Sequence, residues 1–327
     1  MRVGLLGTGE LGQAVAAELV ADPAIFDVVL LSGSLRTHEA MRASLGSKLV
    51  SETAPPWDEL DAVVLCTPDD GQAAQAGRAL DSGCHVVSSA DSVETVRALL
   101  ALEGRAVGRD RSVVIGAAAS PGLTTVLARH GAALFDDVAE ICIGVTGTGG
   151  RECADRRARA GRTDSQEWRD GAWIDVAARS GTELLWFPEP VGAVDCSRGD
   201  LSEAVLLRRQ LPGAAVISAK MGRPVARRTR RTRRFRIGRS NVALVEEPGA
   251  LRVEVSGRRN GDWGTTVYGL VASPILSSAV LAATMARLVV AGDAKGVGGV
   301  GEFVEPSLIL EALWSREVRV QVYEGID

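Results

Sequence analysis

Met1-Arg2-Val3-Gly4-Leu5-Leu6-Gly7-Thr8-Gly9-Glu10-Leu11-Gly12 opens the chain and decides its fold. Val3 to Leu6 is a short apolar run, as expected of a strand buried on both faces. It breaks into Gly7-x-Gly9-x-x-Gly12. Gln13 to Val20 then carries apolar residues at helical spacing and stops at Asp22-Pro23. Each glycine has a physical task in such a strand–turn–helix unit. Gly7 allows the tight turn, Gly9 lets the backbone approach a pyrophosphate, and Gly12 lets the helix pack closely on the strand. Free N–H groups and the positive end of the helix dipole then face the phosphates. With Thr8, Glu10 and Leu11 between the glycines, the turn predicts a dinucleotide site.

The second strand, Val28-Val29-Leu30-Leu31, refines the cofactor expectation. An NAD site usually places Asp or Glu about twenty residues past the last glycine, where it bonds the ribose 2′-hydroxyl. Here the stretch reads Ser32-Gly33-Ser34-Leu35-Arg36. Hydroxyls and an arginine suit a 2′-phosphate and no carboxylate repels one, so NADP(H) is expected over NAD(H). An ordinary solvated Arg36 is the alternative.

Further along, strand and helix alternate. Asp61 to Pro68 is an apolar strand ending in a turn, and Asp69-Asp70 can cap the helix that follows, Gly71 to Leu80. His85 to Ser89 is another strand, and Asp91-Ser92-Val93-Glu94 opens a helix with capping-box spacing. Ser112 to Gly116 leads into Ala118-Ala119-Ser120-Pro121-Gly122-Leu123-Thr124. The alternation predicts a doubly wound parallel sheet, with ligands at the carboxyl ends of its strands. Those ends add Cys66, Thr67, Pro68, Ser88 and Ser89 to the cofactor residues. They also place Ser120 to Thr124 at the substrate, as one wall of a cleft or as an interdomain hinge.

After residue 125 the pattern changes. Short strands, among them Ala172 to Val176, Glu183 to Phe187 and a hairpin through Asn260-Gly261, predict a mainly antiparallel second sheet. Ser273-Pro274 starts a long apolar helix, Ile275 to Val290, read as a buried core helix and not a membrane span. Gly296-Val297-Gly298-Gly299-Val300-Gly301 is read as a mobile connector. Pro306 to Trp314 is a last helix and Val318 to Val322 a last strand.

Composition sets the remaining bounds. At 327 residues, 46% hydrophobic and 24% charged, the chain suits two globular domains. A net charge of -4 offers no general polyanion affinity, so no nucleic-acid partner is expected. Only Lys48, Lys220 and Lys295 are lysines among 37 basic residues. The dense positive run Arg223 to Arg236 reads as a solvated insertion, or as a contact for an anionic substrate or partner. Five scattered cysteines, Cys66, Cys84, Cys142, Cys153 and Cys196, predict buried thiols in a reducing compartment and no metal site. With the dinucleotide strand starting at residue 2, no leader is expected and a cytoplasmic location follows.

Several segments together resemble the saccharopine dehydrogenase-like oxidoreductases, a group that includes saccharopine reductases, lysine 6-dehydrogenases and carboxynorspermidine-type enzymes. They are the glycine fingerprint, Thr67-Pro68, Ser120-Pro121-Gly122-Leu123, Trp168-Arg169-Asp170-Gly171-Ala172-Trp173 and Phe187-Pro188-Glu189-Pro190-Val191-Gly192. The resemblance implies a Rossmann domain over 1–125, an inserted α+β substrate and dimerisation domain over 126–272, and a C-terminal part over 273–327 returning to the first domain. It implies a homodimer, and hydride transfer at a carbon–nitrogen bond of a small amino-acid-like substrate.

Such chemistry asks the protein to orient the cofactor against a carbon and to manage one proton. No Ser-His-Asp or Cys-His arrangement is visible, and His38, His85 and His130 stand isolated. Asp91 and Lys220 are the weak catalytic candidates, with a helix N-cap the preferred role for Asp91. Two alternatives stay open. One is an enzyme of the dihydrodipicolinate-reductase, homoserine or diaminopentanoate dehydrogenase type. The other is a protein that senses NADP without chemistry.

Overall fold

The computed structural model describes residues 1–51, 57–222, 231–237, 240–246 and 248–326, with backbone alone over 231–237 and 240–246 and at 326. Its first half runs β1 (Arg2–Leu6), α1 (Glu10–Ala21), β2 (Asp27–Leu30), α2 (Leu35–Leu45), β3 (Leu49–Ser51), β4 (Ala62–Leu65), α3 (Gln72–Asp81), β5 (His85–Ser88), α4 (Val93–Leu100), α5 (Glu103–Gly108) and β6 (Ser112–Ile115). These strands pair in parallel in the order β3-β2-β1-β4-β5-β6, the doubly wound arrangement that the alternation predicts. Every residue of β4, β5 and β6 is buried, which is why those segments read as unbroken apolar runs.

An irregular turn, Ala119–Leu123, leads into α6 (Thr124–Ala132) and then to a second sheet. Its elements are β7 (Asp137–Thr146), α7 (Arg151–Ala160), β8 (Ser165–Arg169), β9 (Ala172–Val176), β10 (Glu183–Phe187), β11 (Gly192–Arg198), α8 (Glu203–Gln210) and β12 (Val216–Gly222). A separate antiparallel ribbon follows, β13 (Arg231–Ile237) with β14 (Ser240–Glu246), and then β15 (Gly249–Arg259) and β16 (Asp262–Ala272). The order β10-β11-β12-β7-β15-β16 is antiparallel except at β12 and β7. The β15–β16 hairpin turns at Asn260 and Gly261, both at positive φ, as the Asn-Gly pair requires. Of the basic run, 223–230 lies outside the described residues, and Arg231 to Arg236 fall in β13.

The chain closes with α9 (Pro274–Ala291), β17 (Gly296–Gly299), α10 (Val300–Phe303), α11 (Pro306–Trp314) and β18 (Val320–Ile326). Helix α9 starts as expected, with the Ser273 hydroxyl accepting from Leu276 N and Pro274 in the first turn. Among the described residues it is the one helix long and apolar enough to cross a membrane. It is largely buried against α1, β4, β5 and α11, and the two sheets share one hydrophobic core through it.

Two C-terminal expectations are corrected. The glycine stretch is not a mobile connector. Gly296–Gly299 is the buried seventh strand of the parallel sheet, paired with β6. Three of its four residues are glycines, and neighbouring groups fill the space their side chains would take. A Cβ on Gly298 would lie 2.7 Å from the Glu302 carboxyl group, and one on Gly299 would lie 2.6 Å from Gln210 Nε2. The last strand also does not return to the first domain, since β18 pairs with β16 in the second sheet.

Candidate active site

The glycine turn divides into two structural positions and one open one. Gly7 has φ +109°, and a Cβ there would lie 2.3 Å from the Cys66 carbonyl oxygen. A Cβ on Gly12 would lie 2.0 Å from the Gly7 carbonyl oxygen. Both glycines therefore let β1, β4 and α1 meet. Gly9, the N-cap of α1, has nothing within 4 Å of its Cβ position. Its backbone faces open space at the positive end of a twelve-residue helix, the fit that a pyrophosphate requires.

That space belongs to a cleft of about 1150 Å³ between the carboxyl ends of the parallel strands and the second sheet. The Rossmann wall includes Gly7, Thr8, Gly9, Glu10 and Leu11 from the turn, then Cys66, Thr67, Pro68 and Ser89. The far wall comes from the loop after β7 and from α7, and the end of the cleft from the first turns of α9. The volume exceeds the range usual for one drug-sized ligand, about 300–1,000 Å³.

Other expected cofactor residues lie behind this wall with their polar groups engaged. The Ser32 hydroxyl accepts from Gly7 N at 2.8 Å, and the Ser88 hydroxyl donates to Gln72 Oε1 at 2.7 Å. Thr67 Oγ1 donates to Gln75 Oε1 at 2.8 Å, so this cleft residue offers mainly its backbone. Ser34 caps α2 by accepting from Thr37 N. Gly33 sits against Thr8, 2.9 Å from its Oγ1 by the Cβ measure, which brings this loop to the glycine turn. Arg36 is exposed and has no hydrogen-bond or ion-pair partner among the described residues. Burial pushes the Cys66 thiol up to about 12, so it is a neutral lining group and not a nucleophile.

The Ser120–Thr124 segment splits. Ala118, Ala119 and Ser120 line the cleft, whereas Pro121, Gly122, Leu123 and Thr124 turn into the core. Ser120 Oγ donates to the buried Glu203 carboxylate, and Thr124 Oγ1 bonds the Pro121 carbonyl at 2.9 Å. A Cβ on Gly122 would lie 2.0 Å from the Gly116 carbonyl oxygen. We expect Gly122→Val to destabilise the fold by about 3 kcal/mol or more, since backbone and not a flexible side chain stands in the way. Chemical denaturation measures this, and a loss under about 1 kcal/mol would mean that the segment yields.

The sequence prefers a helix N-cap role for Asp91, and the structure gives that role to its neighbour. The N-cap of α4 is Ser92, whose hydroxyl accepts from Thr95 N. Asp69 does not cap α3 either, because Gly71 occupies that position. The Asp69 carboxylate instead accepts from Ser92 N at 2.8 Å and Asp91 N at 3.3 Å, holding the start of α4 against the end of β4. Asp91 is thereby freed to face the cleft. One of its oxygens pairs with Arg156 of α7, which also reaches Asp69 at 3.5 Å. The other, Oδ1, is buried without a hydrogen-bond partner.

Burial dominates the titration of Asp91 and outweighs the attraction of Arg156, pushing its carboxyl up to about 7. A carboxyl group that exchanges its proton near neutrality, with an unsatisfied oxygen in a cleft, suits general acid–base work. Ser277 Oγ on α9 is a second buried polar atom without a partner in the same cleft. Lys220 does not line this cleft and is ion-paired to Glu183. The histidines are structural. His38 bonds Ser51 Oγ at 2.6 Å, His130 bonds the Tyr268 hydroxyl at 2.7 Å, and burial lowers His85 to about 4. Among the described residues no group of three His, Cys, Asp or Glu side chains could hold a metal ion.

Sequence reasoning missed Arg156, the 146–150 loop and Ser277. Helix α7 has no buried residue and hence no apolar stripe to announce it. Its one signal was the density of arginines in a segment with no core to join.

No protein-family model matches the chain, and no curated protein matches it. Solved structures do. The apo saccharopine dehydrogenase (L-Glu forming) of Saccharomyces cerevisiae superposes with a TM-score of 0.73 at 15% identity, covering 99% of both chains. This chain has the saccharopine dehydrogenase fold. The amine dehydrogenase of Mycobacterium smegmatis follows with a TM-score of 0.55 at 12% identity, covering 92% of this chain and 95% of that one. The DAP dehydrogenase of C. glutamicum, solved with DAP, gives 0.53 at 14% identity, covering 97% and 99%.

Proposed function

We propose that this chain is an NADP-dependent oxidoreductase that transfers hydride at the carbon–nitrogen bond of an amino-acid-like substrate. The observation that carries the reading is Asp91, a cleft carboxyl held near neutrality with an oxygen that no protein donor satisfies. An acceptor left open in this way calls for a donor on the ligand, and a substrate ammonium group is one. Solved structures with this fold include dehydrogenases titled for saccharopine, DAP and amines, which supports the reading at the level of architecture.

The residues that would hold the cofactor are the Gly7–Gly12 turn and the first turn of α1 at the pyrophosphate, with Arg36 at the adenosine end. Bound there, a nicotinamide supplies or accepts the hydride. The protein's part is the proton. In the oxidative direction Asp91 takes a proton from the substrate ammonium, leaving a neutral amine whose carbon can give up hydride. In the reductive direction it returns that proton to nitrogen. Arg156 holds the carboxylate in place, and Asp69 holds the segment that presents it.

Turnover is tested by absorbance at the reduced-nicotinamide band in a screen of amino acids with NADP⁺ and of 2-oxo acid and amine pairs with NADPH. Cofactor binding without turnover on either side would favour a sensor over an enzyme. The choice of NADP rests on Arg36 and on the lack of a carboxylate between Ser32 and Arg36. Arg36→Ala should weaken NADPH by about 1–3 kcal/mol and leave NADH unchanged, as loss of a charge-assisted bond predicts. Equal titration curves for the two cofactors on the wild-type protein would overturn this preference.

A further inference from the structure

A second cavity of about 480 Å³ adjoins the cleft, the two sharing Val145, Thr146, Gly147 and Arg157 in their walls. It lies on the second sheet, away from the glycine turn, between the end of α7, the loop after β7 and the ends of β11 and β12. Its polar lining is of one kind. Among the described residues its charged members are Arg157, Arg162 and Arg179; Thr146, Thr148 and Ser197 add hydroxyls, and no carboxylate lines it.

Three guanidinium groups around one small cavity repel each other, and the usual remedy is a nearby Asp or Glu. Here no carboxylate stands in the described wall of the cavity, and the one carboxyl whose titration Arg157 affects is Asp91 in the adjoining cleft. Arg157 Nε is buried without a hydrogen-bond partner. Neither Arg157 nor Arg162 has an ion-pair partner among the described residues. Arg179 is held by a wall residue, its Nε donating to the Gly161 carbonyl at 3.1 Å. An oxyanion is the ligand that satisfies such a set, since planar guanidinium groups and hydroxyls together offer converging donors to carboxylate or phosphate oxygens.

We infer that this cavity is an anion subsite that receives an acidic group of the substrate, a carboxylate or phosphate remote from the reacting nitrogen. The inference rests on the proposed amine chemistry only in calling the anion part of a substrate; the subsite itself stands on the arginines. Arg157 joins the two cavities. It lines both, and its charge is among those that lower the Asp91 carboxyl. Substrates with one acidic group at the reacting end and a second at this distance would span them, and those ending in a cationic tail would be rejected.

The test is calorimetric titration of the full chain with glutarate, with glycerol 3-phosphate and with the uncharged glutaramide, beside a titration with NADPH. The expected result is saturable binding of glutarate or glycerol 3-phosphate, weakened by salt, and none of glutaramide. Which of the two anions binds tighter distinguishes a carboxylate tail from a phosphate tail. Arg162 is exposed and unpartnered among the described residues, so Arg162→Gln should fold normally. It should weaken the anion about tenfold or more while leaving NADPH affinity unchanged. Anion binding that is absent, or indifferent to Arg162→Gln, overturns the subsite while NADPH still binds. Failure of NADPH to bind instead counts against the oxidoreductase reading and leaves the anion result to be judged alone.

Discussion

Gly9→Val is expected to abolish NADPH binding while the protein stays folded. The two outer glycines of the turn cannot be tested in this way, because a Cβ at Gly7 or Gly12 would strike backbone at 2.3 Å or 2.0 Å and disturb the fold itself. Gly9 differs. It has ordinary extended dihedrals, φ -70° and ψ -171°, and open space where the side chain would go. Valine therefore enters the volume that a pyrophosphate would occupy and touches nothing else. The affinity should fall by more than about 100-fold, roughly 2.7 kcal/mol, against a stability change within about 1 kcal/mol at this N-cap. Fluorescence titration and thermal unfolding of the same sample separate the two. An unchanged affinity would mean that the glycines serve the turn alone.

Asp91→Asn should remove turnover and spare the cofactor. The amide keeps the shape and can still bond Arg156, but it exchanges no proton. A loss of about 10²–10⁴-fold in kcat is expected, as for removal of a general acid–base group, with NADPH affinity essentially unchanged. The pH profile carries the sign. Oxidation needs the Asp91 carboxylate, so its rate should rise with pH through about 7, and reduction needs the acid and should fall over the same range. Arg156 lowers the Asp91 carboxyl. Arg156→Gln should therefore move the oxidative limb to higher pH, which a purely structural arginine would not do. A wild-type profile flat from pH 5 to 9 would remove Asp91 from the chemistry.

What the sequence revealed depended on whether a letter carried its own geometry. Gly7 and Gly12 did, since each is a steric requirement of one turn, and so did Asn260-Gly261 and Ser273-Pro274. The apolar strands were legible because both of their faces are covered. Gly296–Gly299 was not, because a strand whose side-chain space is filled by Glu302 and Gln210 shows no apolar pattern. Asp91 was visible as a candidate, but it stands beside Ser92, and nothing local says which of them caps the helix. That choice is made by Asp69, twenty-two residues earlier, through its bonds to Ser92 N and Asp91 N. The arginines of α7 were hidden for a similar reason. Their partners across the cleft come from another sheet, and a helix without a buried face leaves no periodic trace. The Ser120–Thr124 turn follows the expected strand end, yet only its first residue reaches the cleft, because Gly122 packs against the Gly116 backbone and Leu123 and Thr124 lie in the core.

The central claim is that hydride leaves or reaches a carbon bonded to nitrogen. It is tested most directly with a turned-over substrate carrying deuterium on that carbon, by mass spectrometry of the NADPH formed. The account predicts that the label appears in the reduced cofactor and that Asp91→Asn does not form it. Unlabelled NADPH, or label arriving only from a carbon bonded to oxygen, would contradict it.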